Sequence, residues 1–497
     1  MSSTADAYDD LLGRIERYSY LRDASMTLGW DQQVTMPEGG TPARARQTAA
    51  LSTVAHDVIA SEAVADRLDE LADADLSGEQ AAVVRETRRQ HEEAARVPEE
   101  LVEEISRTGA EAQELWQTAK AENDFEAFAP TLERIRELHV ERAEHVDQQR
   151  DPYRVMYEGY EPALPLELVE DVFDQLRERL VPLIDELLDA ADEADLAGLP
   201  DGEWDETTQM VLNREAVELL GYDFERGRLD TSPHPFTSGN QFDCRITTRV
   251  RPDDPLDALT ATVHEYGHAS YQLGLPQAEY GTPLGRPHWE IHESQSRFWE
   301  NHVGRPRAFW ELFAPTFNDH LGTELSPGEL YEAANRLTPE NLIRVEADEL
   351  TYHMHVILRT EIERRFVSGE LGVEEIPSVW NGLMEKYLGV RPDSDAEGCL
   401  QDIHWTGGFA GFQSYTVGSV LAAQLDAAMR EDLDADVDAL IREGEFDPLR
   451  EWMTEHVHSH GKRYPADELI ERATGEPLTA EYFLEYVERK FGDLYGL

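Results

Sequence analysis

The sequence predicts a mainly α-helical protein. Apolar residues recur at helical spacing along nearly the whole chain, strand-like runs are few, and neither a repeat of roughly 20 to 50 residues nor a low-complexity linker divides it. With 497 residues and 40% hydrophobic content, the chain has enough apolar material for a substantial core. We read it as one large body over residues 1–497, with a helical N-terminal part to about residue 200 and a motif-rich part over 201–497.

Helical periodicity predicts helices over 8–27, 44–75, 78–94, 99–123 and 166–192. Residues 185–208 and 430–447 are dense in Asp and Glu and read as solvated helix faces joined by turns, one of them marked by Gly198, Pro200 and Gly202. The strongest strand candidate is 243–251, DCRITTRVR, where β-branched residues alternate; an edge strand lining a cleft would fit it. Residues 257–273, DALTATVHEYGHASYQL, read as one helix capped by Asp257 and stopped by Gly274 and Pro276.

The formal net charge is -58, from 102 Asp and Glu against 44 Lys and Arg. Such a surface repels phosphates, which excludes nucleic acid as a partner. Only four of the cations are lysines, Lys120, Lys386, Lys462 and Lys490. Together, the acidity and the scarcity of Lys read as adaptation to high salt, where the Debye length falls to ~3 Å and carboxylates hold water without mutual repulsion. The N-terminal MSSTADAYDD carries no basic and apolar leader, and no apolar run is long enough to span a bilayer, so the expected location is the cytoplasm and no membrane partner is expected. Two cysteines, Cys244 and Cys399, are too few for a disulfide framework and too far apart for a CxxC metal site.

The chemistry lies in the segment HEYGH. On a helix, His264 and His268 stand one turn apart on the same face, so both imidazoles can reach one ion at ~2.0–2.1 Å. Glu265 follows His264 directly and in such a motif approaches a metal-bound water, taking its proton as general base while the ion polarises the carbonyl under attack. A catalytic zinc needs a third protein ligand and one open position. Glu293, in the helical segment IHESQSRFWEN, meets the first need; Glu290 and Glu300 are weaker ligand candidates, and His292 reads as a packing neighbour.

Further motifs follow in order: HPF at 234–236, DCRIT at 243–247, HESQ at 292–295, IRVEAD at 343–348 and GCLQDIHW at 398–405, with LGWDQQVTMPEGG at 28–40 and YEGYEP at 157–162 upstream. In these segments and in HEYGH, the chain resembles the M32 metallocarboxypeptidases over nearly its whole length. The resemblance implies a mainly helical fold with a deep central groove, akin to neurolysin and angiotensin-converting enzyme, and a small β edge near the active site. It also implies a homodimer, Zn2+ or sometimes Co2+ as the metal, and removal of single residues from the free C-terminus of peptides with broad specificity.

For the oxyanion of the tetrahedral intermediate, Tyr415 and His404 are the donor candidates, both in a segment resembling the donor-bearing region of related peptidases. A free substrate carboxylate calls for a bidentate Arg, and Arg344 and Arg245 are the candidates; either could instead brace a nearby acid such as Asp348 or Asp243. His234 reads as part of a loop wall on the substrate side, His353 and His355 as ordinary helix residues, and His458 and His460 as a surface pair. The rival activity is a dipeptidyl carboxypeptidase or oligo-endopeptidase on the same fold; a catalytically silent peptide-binding protein would be expected to have lost the base.

The charge generates its own prediction. At ~0.1 M salt the Debye length is about 10 Å, so neighbouring carboxylates repel across the folded surface and unfolding relieves them. The melting temperature is expected to climb steeply between ~0.1 M and ~2 M KCl at constant free zinc, with activity following it. A flat profile in differential scanning fluorimetry would remove the high-salt reading.

Overall fold

The computed structural model describes residues 4–338 and 342–497. It is mainly helical, with one three-stranded sheet among the described residues. The chain divides into two compact units, one of residues 1–95, 198–334 and 425–477, the other of residues 96–197, 335–424 and 478–497.

The first unit begins with α1 (Thr4–Val34), α2 (Thr41–Ile59) and α3 (Glu62–Leu71). Ala7, Leu11 and Ile15 repeat at four-residue spacing on α1 and are buried with Ile59, Val64, Leu68 and Leu71. The single helix expected over 44–75 is two, because Ser61 leaves helical geometry with ψ 146° and its hydroxyl accepts the Val64 N–H, which starts a new helix.

The sheet consists of β1 (Leu229–Thr231), β2 (Phe236–Gly239) and β3 (Cys244–Thr248), in the order β1-β3-β2. β1 runs parallel to β3, and β2 runs antiparallel with Thr237 opposite Ile246. The strand read from 243–251 is therefore present but central, because Leu229–Thr231, too short to stand out in the sequence, takes its second flank. The edge nearest the chemistry is β2.

Helix α4 (Pro255–Gly274) packs on β2, β3 and α5 (Trp289–Arg297). Its N-cap is Asp254, not Asp257: the Asp254 side chain accepts from Leu256 and Asp257 N–H, with Pro255 in the first turn. The Asp257 carboxylate is engaged by Arg249 instead, at 3.1 Å. Past α5, Phe298–Gly304 widens into a π-helical turn in which the Arg305 N–H bonds the Glu300 carbonyl. Such widened turns occur frequently at functional sites.

In the second unit, the helices Glu99–Glu122, Phe125–Asp147 and Leu166–Ala194 accompany α6 (Tyr352–Val367) and the start of α7 (Ser414–Asp432). The Trp116 indole N–H donates to the Leu400 carbonyl at 2.9 Å, which fixes the QDIHW segment from behind. Lys490, one of the few lysines, is buried and paired with Glu349. Cys244 and Cys399 are both free and buried. No described helix is long and apolar enough to cross a membrane.

Candidate active site

His264 and His268 project from α4 with rings 4.9 Å apart. The Nδ1 of His264 meets Glu300 Oε2 at 2.9 Å, and the Nδ1 of His268 meets the His292 carbonyl at 3.1 Å. With Nδ1 occupied in each ring, Nε2 is left for an ion. The third donor comes from α5: Glu293 Oε2 lies 3.8 Å from His264 Nε2 and 3.4 Å from His268 Nε2. All three donor atoms fall within 4.8 Å of one another, and among the described residues they form the one His/Cys/Asp/Glu group so arranged. A tetrahedral ion with ligands at ~2.0–2.1 Å separates its donors by roughly 3.4 Å, so two imidazoles and one carboxylate at these spacings fit a divalent metal.

The spacing depends on Gly267, inside the motif. A Cβ there would lie 2.5 Å from both the Gln295 carbonyl oxygen and Ser296 Cα, so α4 and α5 touch backbone to backbone at this point. From the far side, buried His458 braces α5, its Nε2 2.9 Å from Gln295 Oε1. His458 is thus a core residue and not half of a surface pair; burial pushes its pKa down to about 3.

Burial alone would raise the Glu293 carboxyl, but the neighbouring His264 and Arg297 charges outweigh it and hold the group well below the usual carboxylate range. Arg297 donates Nε to Glu293 Oε1 at 2.9 Å and Nη1 to Glu300 Oε2 at 3.0 Å. Arg305 donates to Glu300 Oε1 at 3.0 Å. Glu300, weighed in the sequence as a ligand, therefore orients His264 through its far nitrogen. Glu290 also stands apart from the donors, 3.6 Å from His288 Nδ1. His292 stacks on His268 with centroids 4.2 Å apart, and burial beside His268 drives its pKa well down.

Glu265 is buried one residue past His264. Its Oε2 lies 2.6 Å from the Thr237 hydroxyl, which is also 2.8 Å from the Glu265 carbonyl oxygen. A residue of β2 thereby fixes one oxygen of the carboxylate. Nothing in the sequence singled out Thr237; its only signal is its place directly after HPF.

The remaining candidates divide between the units. In the second unit, Asp402 Oδ1 accepts from His404 Nδ1 at 2.7 Å, and His404 Nε2 lies 3.4 Å from the Tyr415 hydroxyl. Asp402 Oδ2 accepts Arg359 Nε at 2.8 Å, and the Arg359 guanidinium stacks 3.3 Å over Trp405. Burial would raise the Asp402 carboxyl, but His404 and Arg359 hold it far below the carboxylate range. Arg344 donates Nη1 to the Tyr352 hydroxyl at 3.1 Å and faces the Phe412 and Tyr415 rings at 4.9 and 5.4 Å. It forms no ion pair among the described residues: Asp348 accepts from the backbone N–H groups of Thr338, Leu350 and Thr351 instead. Gln401 accepts the Arg344 N–H at 2.7 Å and holds that segment in place.

In the first unit, both arms of Arg245 are engaged by Asp243, at 2.9 and 2.6 Å, with the guanidinium 4.3 Å over Trp30. The bracing alternative is thus the geometry found for Arg245. His234 is exposed in the loop between β1 and β2, where its carbonyl accepts from Ser232.

With this geometry in hand, comparison with known proteins gives a consistent answer. The family model described as carboxypeptidase Taq (M32) metallopeptidase matches residues 10–491. Carboxypeptidase 1 of Bacillus subtilis is 37% identical over 98% of both chains. Thermostable carboxypeptidase 1 of Thermus thermophilus is 35% identical over 99% of both. Among solved structures, the M32 carboxypeptidase from Deinococcus radiodurans superposes with TM-score 0.93 at 38% identity, covering 99% of this chain and 100% of that one. Metallocarboxypeptidase 1 of Trypanosoma cruzi gives TM-score 0.95 at 33% identity, covering 98% and 99%.

Gly267→Ala tests the helix contact. The added methyl must push α4 from α5 by about 1 Å, which is expected to cost ~1–3 kcal/mol of stability and to weaken metal binding by roughly 10- to 100-fold. Chelator-competition titration of the purified variant measures the affinity, and a wild-type value would show that the contact does not set the donor spacing.

Proposed function

The chain belongs to the carboxypeptidase Taq (M32) metallopeptidases and is a metallocarboxypeptidase, and from that premise we propose that it releases single residues from the free C-terminus of peptides, with broad specificity, using zinc, or cobalt in its place. The observation that carries the reading is the HEYGH helix with the Glu293 carboxylate 3.4 Å from His268 Nε2. His264, His268 and Glu293 would hold the ion, which when bound supplies Lewis acidity to the carbonyl and acidity to a water. Glu265 takes the proton of the attacking water and delivers it to the leaving amine. Thr237 steadies the carboxylate during both transfers through its 2.6 Å contact.

Tyr415 and His404 are proposed as donors to the oxyanion, supported by the buried Arg359–Asp402 pair that orients His404. Arg344 is proposed to bind the substrate carboxylate. Its support is the contrast with Arg245: the Arg245 fork is occupied by Asp243, whereas among the described residues the Arg344 guanidinium meets a neutral hydroxyl and ring faces. His234 is proposed to line the approach as part of its loop. We further propose a cytoplasmic homodimer adapted to high salt: the two free buried cysteines support the location, the net charge of -58 supports the salt adaptation, and the dimer rests on the family resemblance alone.

Glu265→Gln is expected to keep near-stoichiometric metal while losing at least ~10²-fold in turnover, since the base goes and no ligand does. Glu293→Ala is expected to lose metal and activity together, as elemental analysis and peptide hydrolysis would report. Retention of full metal by that variant would move the third ligand elsewhere.

Arg344→Ala is expected to lower kcat/KM by about 2–3 kcal/mol, mainly through KM, on peptides with a free C-terminus. The wild type is expected to leave amidated peptides intact. Internal fragments from an amidated peptide in mass spectra would reassign the enzyme as an endopeptidase.

A further inference from the structure

An exposed aromatic patch at the tip of the β2–β3 hairpin takes no part in the chemistry described so far. Phe242 at the tip is 47% exposed and Tyr20 of α1 is 43% exposed, on a chain of net charge -58. Their rings flank Tyr280, at centroid distances of 5.4 and 5.2 Å. Exposed aromatic clusters on an otherwise charged surface mark places where something binds.

The patch is held rigidly. Asn240 Oδ1 accepts the Phe242 N–H at 2.9 Å, and buried Gln241 donates to the Gly285 carbonyl at 2.6 Å, which pins the hairpin tip and leaves Phe242 outward. Gly281 adopts φ +95°, and a Cβ there would come within 2.8 Å of the Tyr20 ring, so the hydroxyl end of Tyr20 rests close against that turn. Beneath, buried Asp23 pairs with Arg286 at 2.7 Å.

The strand that leads to this tip also carries Thr237, in contact with the catalytic base. Helix α4 covers one face of the sheet through Thr237 and Glu265, and Trp30 of α1 covers the other above Arg245. The outer edge of β2 pairs with no strand among the described residues. Such an edge can take an extended peptide as an added strand. In the direction away from the tip, Pro233 and Pro235 lack N–H groups, so a ladder cannot continue that way. An antiparallel peptide with its scissile bond near Glu265 sends its N-terminal arm toward Gly239 and the tip.

We propose that the outer edge of β2 and the Tyr20–Tyr280–Phe242 patch form an extended subsite for that arm, in which an apolar or aromatic side chain upstream of the scissile bond rests on the three rings. Thr237 stands two residues before the strand end at Gly239 and five before Phe242, so at ~3.3 Å per residue the patch is reached by about three to five residues of extended peptide. The inference rests on the carboxypeptidase reading, because removal of a single C-terminal residue leaves the rest of the peptide on one side of the bond.

The test uses the full-length, metal-loaded enzyme and acetylated ten-residue peptides of Ser and Gly with a constant C-terminal residue and one Phe moved along the chain. The wild type is expected to show kcat/KM about tenfold higher with Phe three to five residues before the scissile bond than with Ser there. The double variant Tyr20→Ser, Phe242→Ser is expected to lose that preference while trimming a blocked dipeptide at the wild-type rate. A wild type indifferent to the Phe position, a double variant that keeps the preference, or equal slowing on dipeptide and decapeptide would each overturn the subsite. Failure of the wild type to release any single C-terminal residue would instead overturn the carboxypeptidase reading beneath it.

Discussion

Two imidazoles on one helix and a carboxylate on another converge here where the helices touch backbone to backbone, an approach that the absence of a side chain at position 267 permits. Gly267 lies between His264 and His268, so the residue that sets the helix spacing sits at the level of the donors themselves. The other parts of the site follow from that approach. Glu293 comes within reach of both Nε2 atoms, and the π-helical turn after α5 then brings Glu300 back to the rear nitrogen of His264. The buried His458–Gln295 contact supports α5 from behind at the same level.

A second regularity links the two units without any reference to their placement. In each, a histidine is oriented through Nδ1 by a buried carboxylate, and that carboxylate is in turn held by arginine: Glu300 with Arg297 and Arg305, Asp402 with Arg359. An unpaired carboxylate at such depth would protonate and release its histidine. Arginine is suited to the task because its charge persists at any working pH and its fork engages more than one oxygen at once, as Arg297 does across Glu293 and Glu300. The chain as a whole is overwhelmingly acidic, yet around these histidines its arginines are concentrated on particular carboxylates.

Local spacing made the His264–His268–Glu293 cluster legible in the sequence. His264 and His268 are one helical turn apart, and Glu293 lies in a segment with its own helical period, so neither needed tertiary information. What escaped the sequence depends on contacts between distant segments. Thr237 is one of many threonines until β2 is laid against α4. The oxygens of Glu300 become outer supports instead of ligands only once Arg297 and Arg305 close on them. The sequence favoured Arg344 over Arg245 only slightly, and Asp243, just before the strand that carries Arg245, is what engages the Arg245 guanidinium. The helix break at Ser61 was missed, and the cap at Asp254 was placed three residues late at Asp257, because polar residues nearby offered the same local signal.

The double grip of Arg297 has a bearing on how the protein meets its metal. Because Glu293 and Glu300 are charge-compensated by protein groups, the two carboxylates do not need the cation to keep them from repelling one another or drawing in protons. A cage compensated in this way would be assembled by folding, not by metallation. Stripping with a chelator should leave a folded vessel that refills with whichever divalent ion is offered. Which ion it carries in a cell then reflects supply and exchange rate as much as the shape of the cage.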